Sequence, residues 1–369
     1  MQSHEARRAE VVIFYEGKNI TRDIAPYLIS FTYTDNASDK ADDIALTLED
    51  RDRLWINEWL PTKGDTINAE IKLHNWDEED GEKLLPCGVF EVDEIAVSGP
   101  PNVINIKAVS TLISKPMRQE KHTQAWESTR LSTIAKDFAK KHELNLFWDC
   151  SEDPYFSRRD QAEKSDLDFL AELGRDYGIK TKITDSKLVL YDKEEYEDKD
   201  AICEIKYGDK KLLSWSFTSK SAGTYKSARL QYHDAVKDEN IDVEEESEDD
   251  IEGTSRILEI NQRADSIADA KKIAQEKLSN ANQREITASI NLMGDLRFVG
   301  ASNVEISGFG MFDGKYTIEK ATHTISGNYT TKIELSMGKT AKKAARKKKA
   351  KAQTVSDFND VVIKTYGAD

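Results

Sequence analysis

Cysteine is scarce in this 369-residue chain: there are three, Cys87, Cys150 and Cys203. They are odd in number and far apart, with no CxxC or Cys/His spacing. That excludes a disulfide scaffold and a zinc ribbon, and fits synthesis in a reducing compartment. No apolar run approaches the roughly 20 residues of a membrane span. The segment Met1–Arg8 has no apolar stretch behind its charges, so it does not read as a signal peptide. The six histidines, His4, His74, His122, His142, His233 and His323, include no pair at metal-ligand spacing and no HExxH. Neither GxSxG, a Walker loop, nor GxGxxG after a strand occurs. Basic residues are outnumbered, 53 against 68 acids, for a net charge of -15. That balance argues against nucleic acid as the main partner.

What is present reads first as β. In 28–34, Ile29, Phe31 and Tyr33 share one face. Ile44, Leu46 and Leu48 alternate with small or polar residues, and so do Ile67, Ala69, Ile71 and Leu73. Period two predicts strands with one face inward. Polar turns separate them, at 35–39, 61–65 and 78–81, and further strands are predicted near Val89–Val97 and Val103–Val109. This part ends near Ser114.

The period then changes. Leu131, Ile134, Ala135, Phe138 and Ala139 form a helical stripe. Ser165 with Asp168 predicts a helix cap, Leu167, Phe169, Leu170 and Leu173 an apolar face, and Gly178 its end. Lys182–Tyr191 returns to strand. A third part is β again, at Leu212–Thr218, Ser227–His233, Glu285–Leu292, Phe298–Ile306, Gly314–Ile325 and Tyr329–Met337. It is interrupted by an acidic tract over about 236–253, expected as a mobile loop, and by a helix over about 265–281 opened by Ser266 and Asp269. Lys339–Lys351 is nearly all Lys, Arg and Ala, and reads as a linker or a contact for an acidic surface. Val355, Phe358, Val361, Val362 and Ile363 follow as an apolar patch suited to docking.

Candidate chemistry is thin. Glu91, Asp93 and Glu94 read as the solvated face of a strand rather than a glycosidase pair. The acidic tract lacks the glycine and oxygen spacing of a calcium loop. Gly308-Phe309-Gly310 reads as a hairpin turn, and His142 as a residue suited to a helix C-terminus. No catalytic, cofactor-binding or metal-ligating residue is assigned, no cofactor is expected, and no enzyme activity is expected.

Three phrases are more specific. One is Ala41–Trp55, with its Glu49-Asp50-Arg51-Asp52, followed by Trp59-Leu60-Pro61-Thr62-Lys63-Gly64-Asp65. The second is Cys87–Ile95, leading to Gly99-Pro100-Pro101. The third joins Trp126-Glu127, Arg159-Asp160-Gln161, Glu163–Leu170 and Tyr177-Gly178. In this order they resemble the phage late control D family of contractile-tail hubs, whose module also opens type VI secretion spike proteins. The resemblance covers about residues 10–337. It implies an α+β, mainly β chain: two β-barrel-like domains, 1–114 and 201–338, flank a small α/β, LysM-like insertion at 115–200, with a Lys-rich tail at 339–369. Expected core positions are Phe31, Tyr33, Leu46 and Leu48 in the first barrel, and Leu230, Ile306 and Ile333 in the second. The implied role is a baseplate hub of a phage tail or headless bacteriocin-type particle, adapting a six-fold tail tube to a three-fold spike. The implied partners are two further copies in a homotrimer, the tail tube protein, the central spike protein, other baseplate proteins and the tape measure protein. Assembly in the bacterial cytoplasm would precede incorporation into the tail. Neither nucleic-acid readout nor a membrane span is expected. Two alternatives stay open: a cell-wall-binding or muralytic module acting through 115–200, and a DNA-binding regulator acting through Lys339–Lys351.

Overall fold

The computed structural model describes residues 6–38, 40–76, 81–110, 117, 120–184, 187–220, 223–234, 238–247, 255–283 and 285–338. The basic run, the terminal apolar patch, residues 248–252 of the acidic tract and the Ser114 boundary lie outside them. The fold is mainly β with few helices. It divides into two units, the first made of 1–198, 289–302 and 318–334, the second of 199–288, 303–317 and 335–369.

The first unit opens with β1 (Arg8–Tyr15), β2 (Lys18–Asn19), the short helix α1 (Thr21–Ile24), β3 (Leu28–Asn36), β4 (Asp43–Glu49), β5 (Thr66–His74), β6 (Glu82–Ser98) and β7 (Val103–Ser110). The strands are hydrogen-bonded in the order β3-β4-β7-β6-β5-β1-β2, and each neighbouring pair is antiparallel. Alternation sets the core. Ile67, Ala69, Ile71 and Leu73 point inward from β5, Ile44, Leu46 and Leu48 from β4, and Ile104, Ile106 and Ala108 from β7. Phe31 and Phe90 are fully enclosed, each side chain contributing roughly 1.5–3 kcal/mol through burial. Ile29 departs from its predicted face. The β3–β4 register shifts between Leu28 and Ser30, and this irregularity leaves Ile29 exposed.

The insertion follows within the same unit: β8 (Lys121–Arg130), α2 (Leu131–Lys141), β9 (Asn145–Asp149), β10 (Tyr155–Ser165), α3 (Asp166–Arg175), β11 (Ile179–Thr184), β12 (Lys187–Asp192) and α4 (Lys193–Asp198). β8 pairs with β10, and β12 lies between β11 and β9. All five residues of the predicted α2 stripe are buried. Ser165 Oγ accepts from Asp168 N at 3.1 Å, the predicted cap of α3. Ser165→Ala is expected to cost about 1 kcal/mol, read as a lowered midpoint in urea with unchanged slope. Two ties fasten the insertion to β3 and the turn beyond it. Lys182 Nζ lies 2.5 Å from Asp35 Oδ1, and Tyr191 OH donates to Ala37 O at 3.0 Å.

The rest of the chain supplies β13 (Ala201–Lys206), β14 (Leu212–Ser219), β15 (Ser227–Asp234), β16 (Glu239–Glu246), β17 (Ile257–Ile260), α5 (Ile267–Gln283), β18 (Ile286–Met293), β19 (Asn303–Ser307), β20 (Gly314–Ser326) and β21 (Asn328–Met337). In the second unit β13 pairs parallel with β19, β19 pairs antiparallel with the start of β20, and β15 sits between β16 and β17 under α5. Lys320–Ile325 of β20, which belong to the first unit, pair antiparallel with β3.

Three expectations are corrected here. The acidic tract contains a strand, β16, where a loop was expected. Ile241 and Val243 bury against the helix side while Asp242 meets Arg229 at 2.6 Å on the other face. The density of carboxylates hid this period-two pattern. Residues 289–302 and 318–334 group with the first unit, and Ile333 falls among them rather than in the second unit. Phe298–Ile306 is strand only from Asn303; Phe298 N instead bonds Asp295 O in a turn.

Gly294 shows why one turn must be glycine. A Cβ there would sit 2.0 Å from the Tyr329 ring, whose backbone carbonyl accepts from Gly294 N at 2.9 Å. The Trp76 indole donates to Gly294 O at 2.8 Å from the other side. Gly294→Ala is therefore expected to destabilise the chain by about 1–3 kcal/mol, as overpacking does, measured as a fall in thermal midpoint.

Candidate functional site

The phrases that carry the sequence resemblance are local folding devices. Asp50 is fully buried, and its carboxylate accepts from Trp55 N at 2.9 Å and Ile56 N at 3.3 Å, stopping β4 and shaping the turn after it. Asp65 accepts from Thr62 N at 2.6 Å and from Tyr15 OH, while Gly64 takes φ +97°, a left-handed value that favours glycine. Gln161 is buried and donates to Asp166 Oδ1 at 2.8 Å. Asp166, itself 1% exposed, also accepts from Lys141 at 2.7 Å and pairs with His142 at 2.8 Å. Burial pushes the Asp166 carboxyl up, but these hydrogen bonds outweigh burial and hold it below the usual carboxylate range. His142 thus does more than suit a helix terminus: its Nε2 lies within hydrogen-bonding distance of a buried carboxylate.

The other singled-out residues are not brought together. Glu94 pairs with Lys107 at 3.0 Å on an exposed strand face. His74 lies between Glu10 and Glu82, and His233 contacts Asn240. His323 is fully buried, facing Tyr329 OH at 2.7 Å and Phe298 O at 2.9 Å, and burial lowers its pKa. With a carbonyl at Nε2, that nitrogen donates, and Nδ1 accepts from the tyrosine. Phe309 N donates to Asp313 Oδ1 at 2.6 Å inside the turn joining β19 to β20, as expected of Gly308-Phe309-Gly310. Among the described residues no group of three or more His, Cys, Asp or Glu is placed to hold a metal.

The feature that composition hid is a surface of the second unit. Tyr207, Trp215, Phe217, Phe309, Phe312 and Tyr316 form one connected aromatic cluster. Trp215 and Phe309 centroids lie 5.3 Å apart, and Phe217 stacks on Phe312 at 5.1 Å. Its outer members stay open to solvent: Tyr207 is 65% exposed and Trp215 48%, and Leu213 and Met311, close to them in sequence, are 54% and 48% exposed. β14, which carries Leu213 and Trp215, ends the strand order with β18 as its neighbour. An exposed edge strand bearing large apolar side chains is what a solitary protein avoids and an interface uses. The segment Lys199–Lys220, which includes Tyr207 and Trp215, holds five lysines against Asp200, Glu204 and Asp209, in a chain of net charge -15.

Against known proteins, no family model matches. The chain is 28% identical over 185 residues to a probable baseplate hub protein of Escherichia phage P2, covering 49% of this chain and 44% of that protein. It thus spans under half the length of the curated relatives it matches. Its fold superposes on a tail protein from Neisseria meningitidis MC58 with a TM-score of 0.68 at 11% identity, covering 91% of this chain and 99% of the other. A 43 kDa prophage MuSo2 tail protein from Shewanella oneidensis gives 0.68 at 13% identity, covering 89% and 98%. The fold is that of phage tail proteins. Over about half its length the sequence is similar to phage baseplate hub proteins, and its fold is similar to that of solved phage tail proteins.

Proposed function

We propose that the chain is a structural hub of a phage tail or tail-like particle, and that it works without enzymatic turnover. Two β-rich units per chain, each barrel-like in outline, would let three copies form a ring of six similar modules, matching a six-fold tube above and a three-fold spike below. The α/β insertion, which resembles a LysM module in shape, sits on the first unit as a decoration. Tube, spike, other baseplate proteins and the tape measure protein are the proposed partners, joined after assembly in the bacterial cytoplasm.

The observation that carries this reading is the aromatic edge of β14. Closed three-fold rings need a heterologous interface, one patch on each chain meeting a different patch on the next. Exposed Trp215 and Tyr207, on a strand that ends the order among the described residues and in a Lys-rich segment of an otherwise acidic chain, would supply one half of such an interface, and the acidic body of the next copy would supply a matching charge. Deleting the gene from its phage or particle locus is expected to leave tubes and sheaths unassembled. Complementation with the wild-type gene should restore particles; restoration by an empty vector would remove the hub reading.

A further inference from the structure

The α/β insertion of the first unit has an open sheet edge at β9. This strand ends the order β11-β12-β9, and among the described residues its one ladder is the parallel one to β12. Alternate residues of such a strand turn their backbone N–H and C=O away from the neighbour, a row of groups able to pair with another chain. Asn145 and Phe147 are exposed, Phe147 at 51%, and even Leu146 and Trp148 are only partly buried. Natural sheets ordinarily guard an edge with a charge, a proline or a bulge. The middle of β9 has none of these. Leu146-Phe147-Trp148 is wholly apolar, and the register with β12 runs without a shift.

The charge around this edge is of one sign. Residues 143–155 include Glu143, Asp149, Glu152 and Asp153 and no Lys, Arg or His. Asp192 joins them, accepting from Ser151 N at 2.6 Å. Asp149 and Asp153 accept from neutral donors, Tyr196 OH at 3.0 Å and Ser132 Oγ at 2.7 Å, which leave their charge in place. Two cations stand close: Arg130, which donates to the Asp153 carbonyl, and Lys187, opposite Asn145 in the ladder. The carboxylates prevail. The Cys150 thiol is pushed up to about 12, first by burial and then by Asp192, Asp149 and Asp153.

We propose that β9 is a docking edge for an extended, Lys- or Arg-bearing segment of a partner protein, which adds as a further strand beside it. Strand addition takes its affinity from main-chain hydrogen bonds and its specificity from alternate side chains. Here the apolar ones pack on Phe147, and the basic ones meet the carboxylates that flank β9. A basic segment suits this edge and not β14, which lies in the Lys-rich stretch 199–220. Docking at β9 does not depend on the hub role.

The test uses the full-length chain and a short synthetic peptide alternating valine and lysine as probe. Fluorescence anisotropy is expected to show saturable binding. Methylating alternate backbone nitrogens of the peptide keeps its charge but removes its strand donors, and should weaken binding about tenfold or more. Phe147→Lys puts a cation on the edge at an exposed position, and should weaken the unmodified peptide by about the same factor. Hydrogen exchange in the unaltered chain separates lost docking from a local disturbance by that substitution: the amides of 145–149 should slow when peptide is added. No binding, equal binding of the methylated peptide, indifference to Phe147→Lys, or protection confined to other strands would overturn the proposal. So would a mass of two chains that Phe147→Lys returns to one, since the edge would then belong to a second copy.

Discussion

Trp215→Asp is expected to leave the folded chain intact and to abolish its self-association. In the free chain the indole is 48% exposed but still packs on Phe309, Phe217 and Tyr207, so its loss should cost about 1–2 kcal/mol. In an assembled ring the same residue would be a buried aromatic anchor, whose removal typically costs 2 kcal/mol or more, about a 30-fold rise in dissociation constant per contact. A carboxylate on an edge strand is also the device by which natural sheets refuse a neighbour. The expected pair of results is a thermal midpoint lowered by only a few degrees, with one cooperative transition kept, and a mass that drops to one chain in sedimentation. A variant that still trimerises would move the interface elsewhere. Leu213→Ser should act in the same direction more weakly.

Lys182→Met is expected to be the most destabilising exposed-end change in the first unit. Lys182 sits beside two carboxylates that are nearly enclosed, Asp35 and Asp42, both 5% exposed, at 2.5 and 3.9 Å. Removing the cation leaves buried negative charge uncompensated, at a cost of about 3–5 kcal/mol. The pH dependence has a definite sign. Desolvation raises the Asp42 carboxyl to about 7, with Lys182 opposing and Asp35 adding to the rise. The folded state therefore holds a proton that the unfolded state releases near its ordinary value. The stability this proton supplies is complete below about pH 4 and is lost as pH rises through about 7. Urea unfolding at pH 5 and pH 8 should show the first unit weaker at the higher pH. Asp42→Asn should flatten that difference, and Lys182→Met should enlarge it.

Much of the fold was legible because its signals are local. The alternation in β4 and β5, the α2 stripe and the Ser165 cap each follow from a few neighbouring residues, and each appears where expected. β16 was missed because five of its eight residues are acidic, and charge density outweighed the two inward residues Ile241 and Val243. The division of the C-terminal strands between two units was beyond reach of periodicity, since β20 alternates the same way whether it pairs with β3 or with β19. The candidate interface was missed for a related reason. Trp215, Phe217, Phe309 and Phe312 are about a hundred residues apart in two clusters, and only the return of the chain through β19 and β20 makes one surface of them. The kinship phrases were legible and misleading in one respect. Asp50, Asp65, Gln161 and Asp166 look like functional residues, and each serves the fold by satisfying buried backbone or side-chain groups.

The central claim is that three copies of this chain make the working unit. The most direct measurement is the mass of the full-length protein in solution at micromolar concentration, by sedimentation equilibrium or light scattering. The account predicts three times the 41.8 kDa of one chain, falling to one in Trp215→Asp. A wild-type mass of one chain, unchanged in the presence of its tube and spike proteins, would contradict it.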